Sequence, residues 1–266
     1  MPKKDRKRSM CELFGVSAPD KIELNDLLRE FFSHGTDHPH GWGMAFFYSN
    51  SVSLEKQPEN SCKSNYLKQR LRAKISTDKM LAHIRLATRG TMEYENTHPF
   101  VMRDNDNRTW TLIHNGTIFE CESLNRFAHV QQGQTDSERI LCYIISKVNA
   151  LQEEKGTALS PKERFELVDK IICEITPENK VNLLLFDGEL LYVHTNYPGS
   201  LHICEKGQGI VISTRPLDYG PWKELPLNML EAYWKGKKLY TGTNHGNEFV
   251  DSEEKMKLLF LDFANL

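Results

Sequence analysis

Met10-Cys11-Glu12-Leu13-Phe14-Gly15-Val16-Ser17 is the stretch on which the reading of this chain depends. A cysteine follows a methionine and opens an apolar run, which predicts a strand. If translation begins at Met10 and that methionine is removed, Cys11 carries a free α-amino group beside its thiol. Such an amine has a pKa of about 7.7–8.0, so it can take the thiol proton and later return it to a leaving group. Alone, the pair is a weak indication, because buried cysteines are common and usually inert.

Length and composition indicate a soluble globular protein. A chain of 266 residues can form one large domain or two small ones, and its 39% hydrophobic content is ordinary. No apolar run approaches the roughly 18 residues of a membrane-spanning helix. The six cysteines are widely spaced and form no Cys-x-x-Cys pair, which is typical of reduced thiols. We therefore expect a cytoplasmic protein that does not enter a membrane.

Residues 1–10 form a basic leader, with five basic side chains against Asp5. Because the whole chain has a net charge of −2, residues 11–266 are acidic and offer no general attraction to nucleic acid. A nuclear-targeting or nucleic-acid patch is one interpretation of the leader. A disordered tail, or a start assigned too far upstream, is favoured over it. We expect the leader to be removed or not translated, and residues 11–266 to form a single domain.

The periodicity of apolar residues predicts helices and antiparallel strands without βαβ alternation, an α+β class. Helices are expected at residues 21–33, 64–74 and 161–175 and from residue 135 onward, where Thr135 or Asp136 is the expected N-cap. Strands are expected at residues 44–48, 79–86, 181–186, 190–194, 201–204, 209–213 and 258–261, with a hairpin at the turn 49–51. A further apolar strand, from Trp110, is expected directly before Asn115-Gly116.

A histidine-rich loop at residues 34–43 suggests a metal site, since three histidines fall within seven residues. No carboxylate or cysteine at ligand spacing completes such a site, and Pro39 interrupts the cluster. We therefore expect no metal and no other cofactor.

Five residues supply the groups that chemistry on a carboxamide requires. Cys11 would be the nucleophile, and the Asn115 side chain with the Gly116 backbone N–H would hold the oxyanion. Arg85 can grip a carboxylate with its planar fork, and Asp136 can pair with an ammonium group. Simpler readings exist: Asn-Gly as a type I′ hairpin turn, Asp136 as a helix-capping acid, and Arg85 in a surface ion pair. Together, however, the two clamps fit an α-amino acid, and an amide-cleaving nucleophile makes glutamine the natural substrate.

The motifs occur in an order that resembles the class II glutamine amidotransferases of the stand-alone YafJ type. The matching segments are Met10-Cys11-Glu12-Leu13-Phe14-Gly15, Gly41-Trp42-Gly43, His83-Ile84-Arg85 with Thr88-Arg89-Gly90, Asn96-Thr97-His98-Pro99-Phe100, His114-Asn115-Gly116, Thr135-Asp136-Ser137-Glu138 and Val211-Ile212-Ser213-Thr214-Arg215-Pro216-Leu217. Any one motif is weak; the ordered set covers essentially residues 11–266.

The resemblance implies the N-terminal-nucleophile fold, a four-layer αββα sandwich of two antiparallel sheets between helical layers. It implies hydrolysis of glutamine to glutamate and ammonia through a γ-glutamyl thioester on Cys11. By position, Asn115 and Gly116 would form the oxyanion hole, Arg85 would bind the α-carboxylate and Asp136 the α-ammonium. The resemblance further implies that His98 and Trp42 support the pocket, while His83 and His114 pack beside it.

Ten residues precede Cys11, whereas family members begin at the cysteine once methionine is removed. With the leader attached, the Cys11 nitrogen is an amide without basicity. Two alternatives stay open beside the glutaminase: a γ-glutamyl peptide or amide hydrolase, and a non-catalytic regulatory subunit with a blocked Cys11. Larger amidotransferases carry a synthase domain that consumes the ammonia, and residues 11–266 leave no room for one. A separate ammonia-accepting synthase is therefore a candidate partner.

Overall fold

The computed structural model describes residues 11–48, 51–87 and 90–252. The basic leader, most of the turn expected at 49–51, two residues of the Thr88-Arg89-Gly90 motif and the strand expected at 258–261 lie outside these ranges.

Two antiparallel sheets form the centre of the fold. The first has seven strands in the order β11-β9-β10-β1-β4-β2-β3, and the second has six in the order β13-β12-β8-β7-β6-β5. The strands of the first sheet are β1 Glu12–Glu23, β2 Trp42–Tyr48, β3 Ser51–Gln57, β4 Ser76–Ile84, β9 His202–Lys206, β10 Gly209–Ser213 and β11 Lys223–Glu224. Those of the second are β5 Phe100–Arg103, β6 Thr109–His114, β7 Leu183–Phe186, β8 Leu191–His194, β12 Glu231–Trp234 and β13 Lys237–Thr241.

Helices cover the outer face of each sheet. Their bounds are α1 Asn25–Ser33, α2 Asn65–Arg70, α3 Glu122–Asn125, α4 Asp136–Lys155 and α5 Pro161–Ile175, with short 3-10 helices at His34–Thr36, Tyr94–Asn96 and Arg126–His129. One buried cluster joins α1 to the first sheet, a second joins α4 and α5 to the second sheet, and a third lies between the sheets. The predicted four-layer αββα sandwich is confirmed. No helix in the described ranges is long and apolar enough to cross a bilayer.

Strand β1 occupies the middle of the first sheet, between β10 and β4. Its side chains alternate, so that Leu13 lies between the sheets and Phe14 packs toward α1. Leu13 is also bonded to the chain after β10, because its N–H donates to Thr214 Oγ1 at 2.8 Å and its carbonyl accepts from the Thr214 N–H at 3.0 Å. The residue before β1, Cys11, is therefore held at the head of a central strand.

The start of the helix expected at 21–33 is wrong, because β1 continues to Glu23 and α1 begins only at Asn25. After an irregularity in register, Ile22 and Glu23 pair with β4. Long-range pairing thus overrides the local helical spacing of residues 21–24. The helix at 161–175 and the hairpin of β2 with β3 are confirmed. Strands β5, β11, β12 and β13 were not predicted.

Candidate active site

Cys11 meets residues from both sheets. Its Sγ lies 3.4 Å from the carbonyl oxygen and 3.4 Å from the backbone nitrogen of Leu86, just past the end of β4. Its own backbone N–H donates to Oδ1 of Asn115, which follows β6 in the second sheet, at 3.1 Å. The thiol and the nitrogen of Cys11 therefore lie where the two sheets come together at one end.

Asn115 does not sit in a hairpin turn, so that alternative is wrong. Its N–H donates to the Asn182 carbonyl at 2.8 Å, and Nδ2 of Asn182 donates to the Asn115 carbonyl at 2.8 Å. Next along the chain, Thr117 forms an isolated bridge with Lys180. Since Oδ1 of Asn115 accepts from Cys11, its Nδ2 is the carboxamide donor that remains for a substrate oxygen.

Gly116 is required by the close approach of the neighbouring chain. A Cβ at this position would lie 1.9 Å from the Lys180 carbonyl oxygen and 2.5 Å from Nε2 of His114. Within the described part of the chain, no acceptor takes a hydrogen bond from the Gly116 N–H. The residue therefore offers a backbone donor beside Asn115, as an oxyanion site requires.

Arg85 is buried, so the surface position considered above is wrong. Its two terminal nitrogens donate to the carbonyls of Thr91 and Gly90, each at 2.9 Å. These acceptors are neutral, so they orient the guanidinium without cancelling its charge. Burial lowers the pKa of Arg85, while the neighbouring Cys11 and Asp136 raise it.

Asp136 is the first residue of α4, and the expected N-cap at Thr135 is confirmed by a bond from the Glu138 N–H at 3.3 Å. Oδ2 of Asp136 accepts from the Ile118 N–H at 2.7 Å, and Ser137 Oγ lies 3.4 Å from Oδ1. The carboxylate is buried at a helix N-terminus, where the helix dipole favours a negative charge.

The Cys11 thiol is protonated at neutral pH. Burial raises its pKa to about 11; the Leu86 hydrogen bond and the charges of Arg85 and Lys180 act in the opposite direction, and Asp136 raises it further. At pH 7 the thiolate is then about one molecule in ten thousand. Because the thiolate is the nucleophile, this cysteine needs a base that removes its proton during attack.

Three buried histidines stand behind the site. Burial lowers the pKa of His83, His98 and His114, the first two to well below the ordinary value, so all three are neutral at pH 7. The rings of His83 and His98 are 4.0 Å apart, and Nε2 of His83 donates to the His114 carbonyl at 3.3 Å. His98 also packs on Phe100 at 4.6 Å, in line with a supporting position. Its predicted role at the pocket stays a prediction.

Trp42 lies elsewhere. Its fully buried indole belongs to the core between the first sheet and α1, with Phe32 at 5.9 Å and Tyr66 at 6.1 Å between ring centroids. The structure brings Cys11 and Asn115 together, but it places Trp42 on the helical side of the sheet. The predicted support of the pocket by Trp42 stays a prediction.

Sequence reasoning missed two groups that border the site. Asn182 holds the Asn115 backbone, and the Lys180 carbonyl accepts from the Thr117 N–H at 2.9 Å and from Nε2 of His114 at 3.3 Å. The available signal was a polar Lys-x-Asn directly before a buried strand. Its meaning depends on a contact between segments some 65 residues apart, which no local pattern shows.

The two-sheet sandwich between helical layers is the architecture of the N-terminal-nucleophile fold. Residues 10–209 match the model of the family described as "Glutamine amidotransferases class-II", and the chain belongs to that family. The protein is therefore an enzyme of the class II glutamine amidotransferases.

A bacterial relative supports this assignment, and an archaeal protein is also similar in sequence. The chain is 31% identical over 192 residues to a putative glutamine amidotransferase, YafJ, of Escherichia coli K12, covering 70% of this chain and 74% of the relative. It is 29% identical over 259 residues to an uncharacterized protein of Methanocaldococcus jannaschii, covering 87% and 71%.

Solved structures show the same fold. A predicted glutamine amidotransferase from Pseudomonas aeruginosa PA01 aligns with a TM-score of 0.58 and 20% identity, covering 86% of this chain and 100% of that one. The glutamine phosphoribosylpyrophosphate amidotransferase of Bacillus subtilis aligns with a TM-score of 0.63 and 15% identity, covering 87% of this chain and 48% of that one.

Proposed function

We propose that the protein hydrolyses the side-chain amide of glutamine to glutamate and ammonia through a γ-glutamyl thioester on Cys11. The observation that carries the proposal is the position of Cys11, whose nitrogen contacts Oδ1 of Asn115. The two candidate oxyanion donors lie beside this contact: Nδ2 of the same Asn115 side chain and the N–H of the next residue, Gly116. The proposal requires that the leader, residues 1–10, be removed or not translated, because only a free α-amine is basic.

In the first half-reaction, the Cys11 amine takes the thiol proton while sulfur attacks the γ-carbonyl carbon. The developing oxyanion receives hydrogen bonds from Asn115 and Gly116. The proton then passes from the amine to the leaving nitrogen, the C–N bond breaks, and ammonia departs. Burial raises the pKa of the thiol, so a base is needed to form the thiolate at neutral pH.

In the second half-reaction, water attacks the thioester. The same amine takes a proton from the water and returns it to the departing sulfur, which yields glutamate and restores the thiol. The oxyanion site acts again, because the second tetrahedral intermediate carries its charge on the same oxygen. Each donor contributes about 2.7–4 kcal/mol in a comparable protease site.

Arg85 and Asp136 would hold the two ends of the amino-acid head group. Arg85 would receive the α-carboxylate in its fork, and Asp136 would pair with the α-ammonium. The proximity of both charges to Cys11, seen in their opposite effects on the pKa of its thiol, supports this assignment. The two clamps set the distance from the head group to the reacting carbon.

We also propose that residues 11–266 work as one type 2 amidotransferase domain, located in the cytoplasm, with a separate ammonia-accepting synthase as partner. The six cysteines are all free thiols, in keeping with a reducing compartment. The paired test of the proposal uses protein produced from Met10 and protein that retains residues 1–10. Ammonia release from glutamine is expected only from the first, with a Cys11→Ala variant as the inactive control. Equal turnover by the chain with a retained leader would contradict the mechanism.

A further inference from the structure

Glu12, directly after Cys11, is a fully buried carboxylate that three basic side chains approach. Oε2 accepts from Nδ1 of His34 at 2.7 Å, Oε1 accepts from the Arg215 guanidinium, and Nδ1 of His38 lies 4.0 Å from Oε1. A buried carboxylate is costly unless such partners compensate it. Two segments distant in sequence, the loop after α1 and the chain after β10, therefore converge on the residue next to the nucleophile.

The loop between α1 and β2, which supplies both histidines, also frames the thiol. The N–H of His40 donates to the Arg85 carbonyl at 3.1 Å, and the Ala87 N–H donates to Nδ1 of His40 at 2.9 Å. Leu86, between these two bonded residues, is the one whose backbone contacts Sγ of Cys11. The loop between α1 and β2 thus holds the Leu86 backbone that contacts the Cys11 sulfur. Through His34 and Glu12, the same loop also holds the start of β1, which Cys11 directly precedes.

We infer that Glu12 is a positioning residue: gripped by His34 and Arg215, it holds Cys11 in the orientation needed for attack. This inference rests on the proposed role of Cys11 as nucleophile. With residues 1–10 absent, Cys11 is a chain end, and chain ends fray unless they are tied down. Its nitrogen donates to Asn115 at 3.1 Å and its sulfur contacts the Leu86 backbone at 3.4 Å, so its orientation also depends on how the head of β1 is held. Buried ion pairs seldom add net stability, so a role in geometry accounts better for this one.

The cluster also predicts a pH signature. The hydrogen bond with Glu12 raises the pKa of His34, whose Nε2 faces Glu30 at 3.4 Å; His38 and Arg215 complete the charged surroundings. The hydrogen bond of protonated His34 to Glu12 is fully present below the ordinary pKa of His34 and is lost as pH rises through the raised value. If this bond positions Cys11, kcat should fall over the same pH range. Removing the Glu12 charge should therefore move this alkaline loss of kcat to lower pH, which a purely structural role would not do.

The test compares Glu12→Gln with Glu231→Gln, both on protein that begins at Cys11. Glu231 is a matched control, because it is a buried carboxylate in β12 paired with Lys238 at 2.8 Å. In Glu12→Gln, kcat for glutamine should fall on the order of tenfold to a hundredfold, the loss that misplacement of about 1 Å can cause. KM should stay within about twofold, since the head-group clamps are untouched. Glu231→Gln should retain kcat.

If Glu12→Gln fails to fold, Arg215→Gln is tested in its place. The Arg215 side chain is 40% exposed, and its substitution removes one of the partners that hold Glu12. Retention of wild-type kcat by the folded variant, or an equal loss in Glu231→Gln, would overturn the inference. Labelling of wild type with an electrophilic glutamine analogue separates the two levels. If wild type is labelled at Cys11 and turns over glutamine, and Glu12→Gln is equally active, only the inference about Glu12 is refuted. If wild type is neither labelled nor active, the proposed function is refuted as well.

Discussion

Gly116→Ala should remove one oxyanion donor while leaving the fold in place. The new Cβ would lie 1.9 Å from the Lys180 carbonyl oxygen and 2.5 Å from Nε2 of His114. A backbone oxygen held by the Thr117 N–H cannot yield easily, so the Gly116 segment must shift and carry its N–H away from the substrate. Losing one such donor costs about 2.7–4 kcal/mol, or roughly a hundredfold to a thousandfold in kcat. Overpacking alone should cost about 1–3 kcal/mol of unfolding free energy.

Gly209→Ala separates the two effects. Its Cβ would lie 2.5 Å from the Ala18 Cβ and 3.1 Å from the Ser17 carbonyl oxygen, a milder clash at the start of β10. Ammonia release from glutamine and thermal unfolding would be measured for both variants. We expect both to lose stability but only Gly116→Ala to lose kcat. A folded Gly116→Ala with wild-type kcat, or an equal loss in Gly209→Ala, would refute the assignment of the oxyanion donor.

Three further predictions concern the clamps, the thiol and the distal core. Arg85→Lys and Asp136→Asn should each lower kcat/KM for glutamine about tenfold to a hundredfold, because each loses a charge-assisted hydrogen bond of roughly 1.5–3 kcal/mol. Steady-state kinetics measures the loss, and the melting temperature should stay unchanged. Wild-type activity in either variant would argue against its role in binding the head group. Alkylation of Cys11 in a chain that retains its leader should accelerate about tenfold per pH unit from pH 7 to 10, since the thiol pKa is about 11; a plateau near pH 8 would contradict that value. Asp187→Ala should cost about 3–5 kcal/mol of unfolding free energy, because it leaves the buried Arg164 without its 2.6 Å partner; denaturation measures it, and a loss below about 1 kcal/mol would be inconsistent.

Elements with strong local signals were predictable from the sequence. Helix α5 begins and ends where expected, and its start carries a capping box that Ser160 and Glu163 form around Pro161. The start of α4 was equally clear, since Thr135 caps it. These signals act within a few residues, so they do not depend on the rest of the fold.

What could not be predicted depends on long-range contacts. The four residues before α1 have helical spacing, yet pairing with β4 extends β1 to Glu23. Asn115-Gly116 has the composition of a hairpin turn, but contacts with Asn182 and Lys180 give it another conformation. The histidines after α1 raised the possibility of a metal site in the sequence. In the structure, Nδ1 of His34 instead forms a hydrogen bond with the buried Glu12 carboxylate.

Peptide mapping of active enzyme trapped during turnover tests the central claim most directly. Protein from the native source would be quenched with acid in the presence of glutamine, or labelled with an electrophilic glutamine analogue, and analysed by mass spectrometry. The account predicts an N-terminal peptide that begins at Cys11 and carries the γ-glutamyl group or the label on its sulfur. An active preparation that retains residues before Cys11, or that carries the label on Cys121 or Cys142 instead, would contradict it.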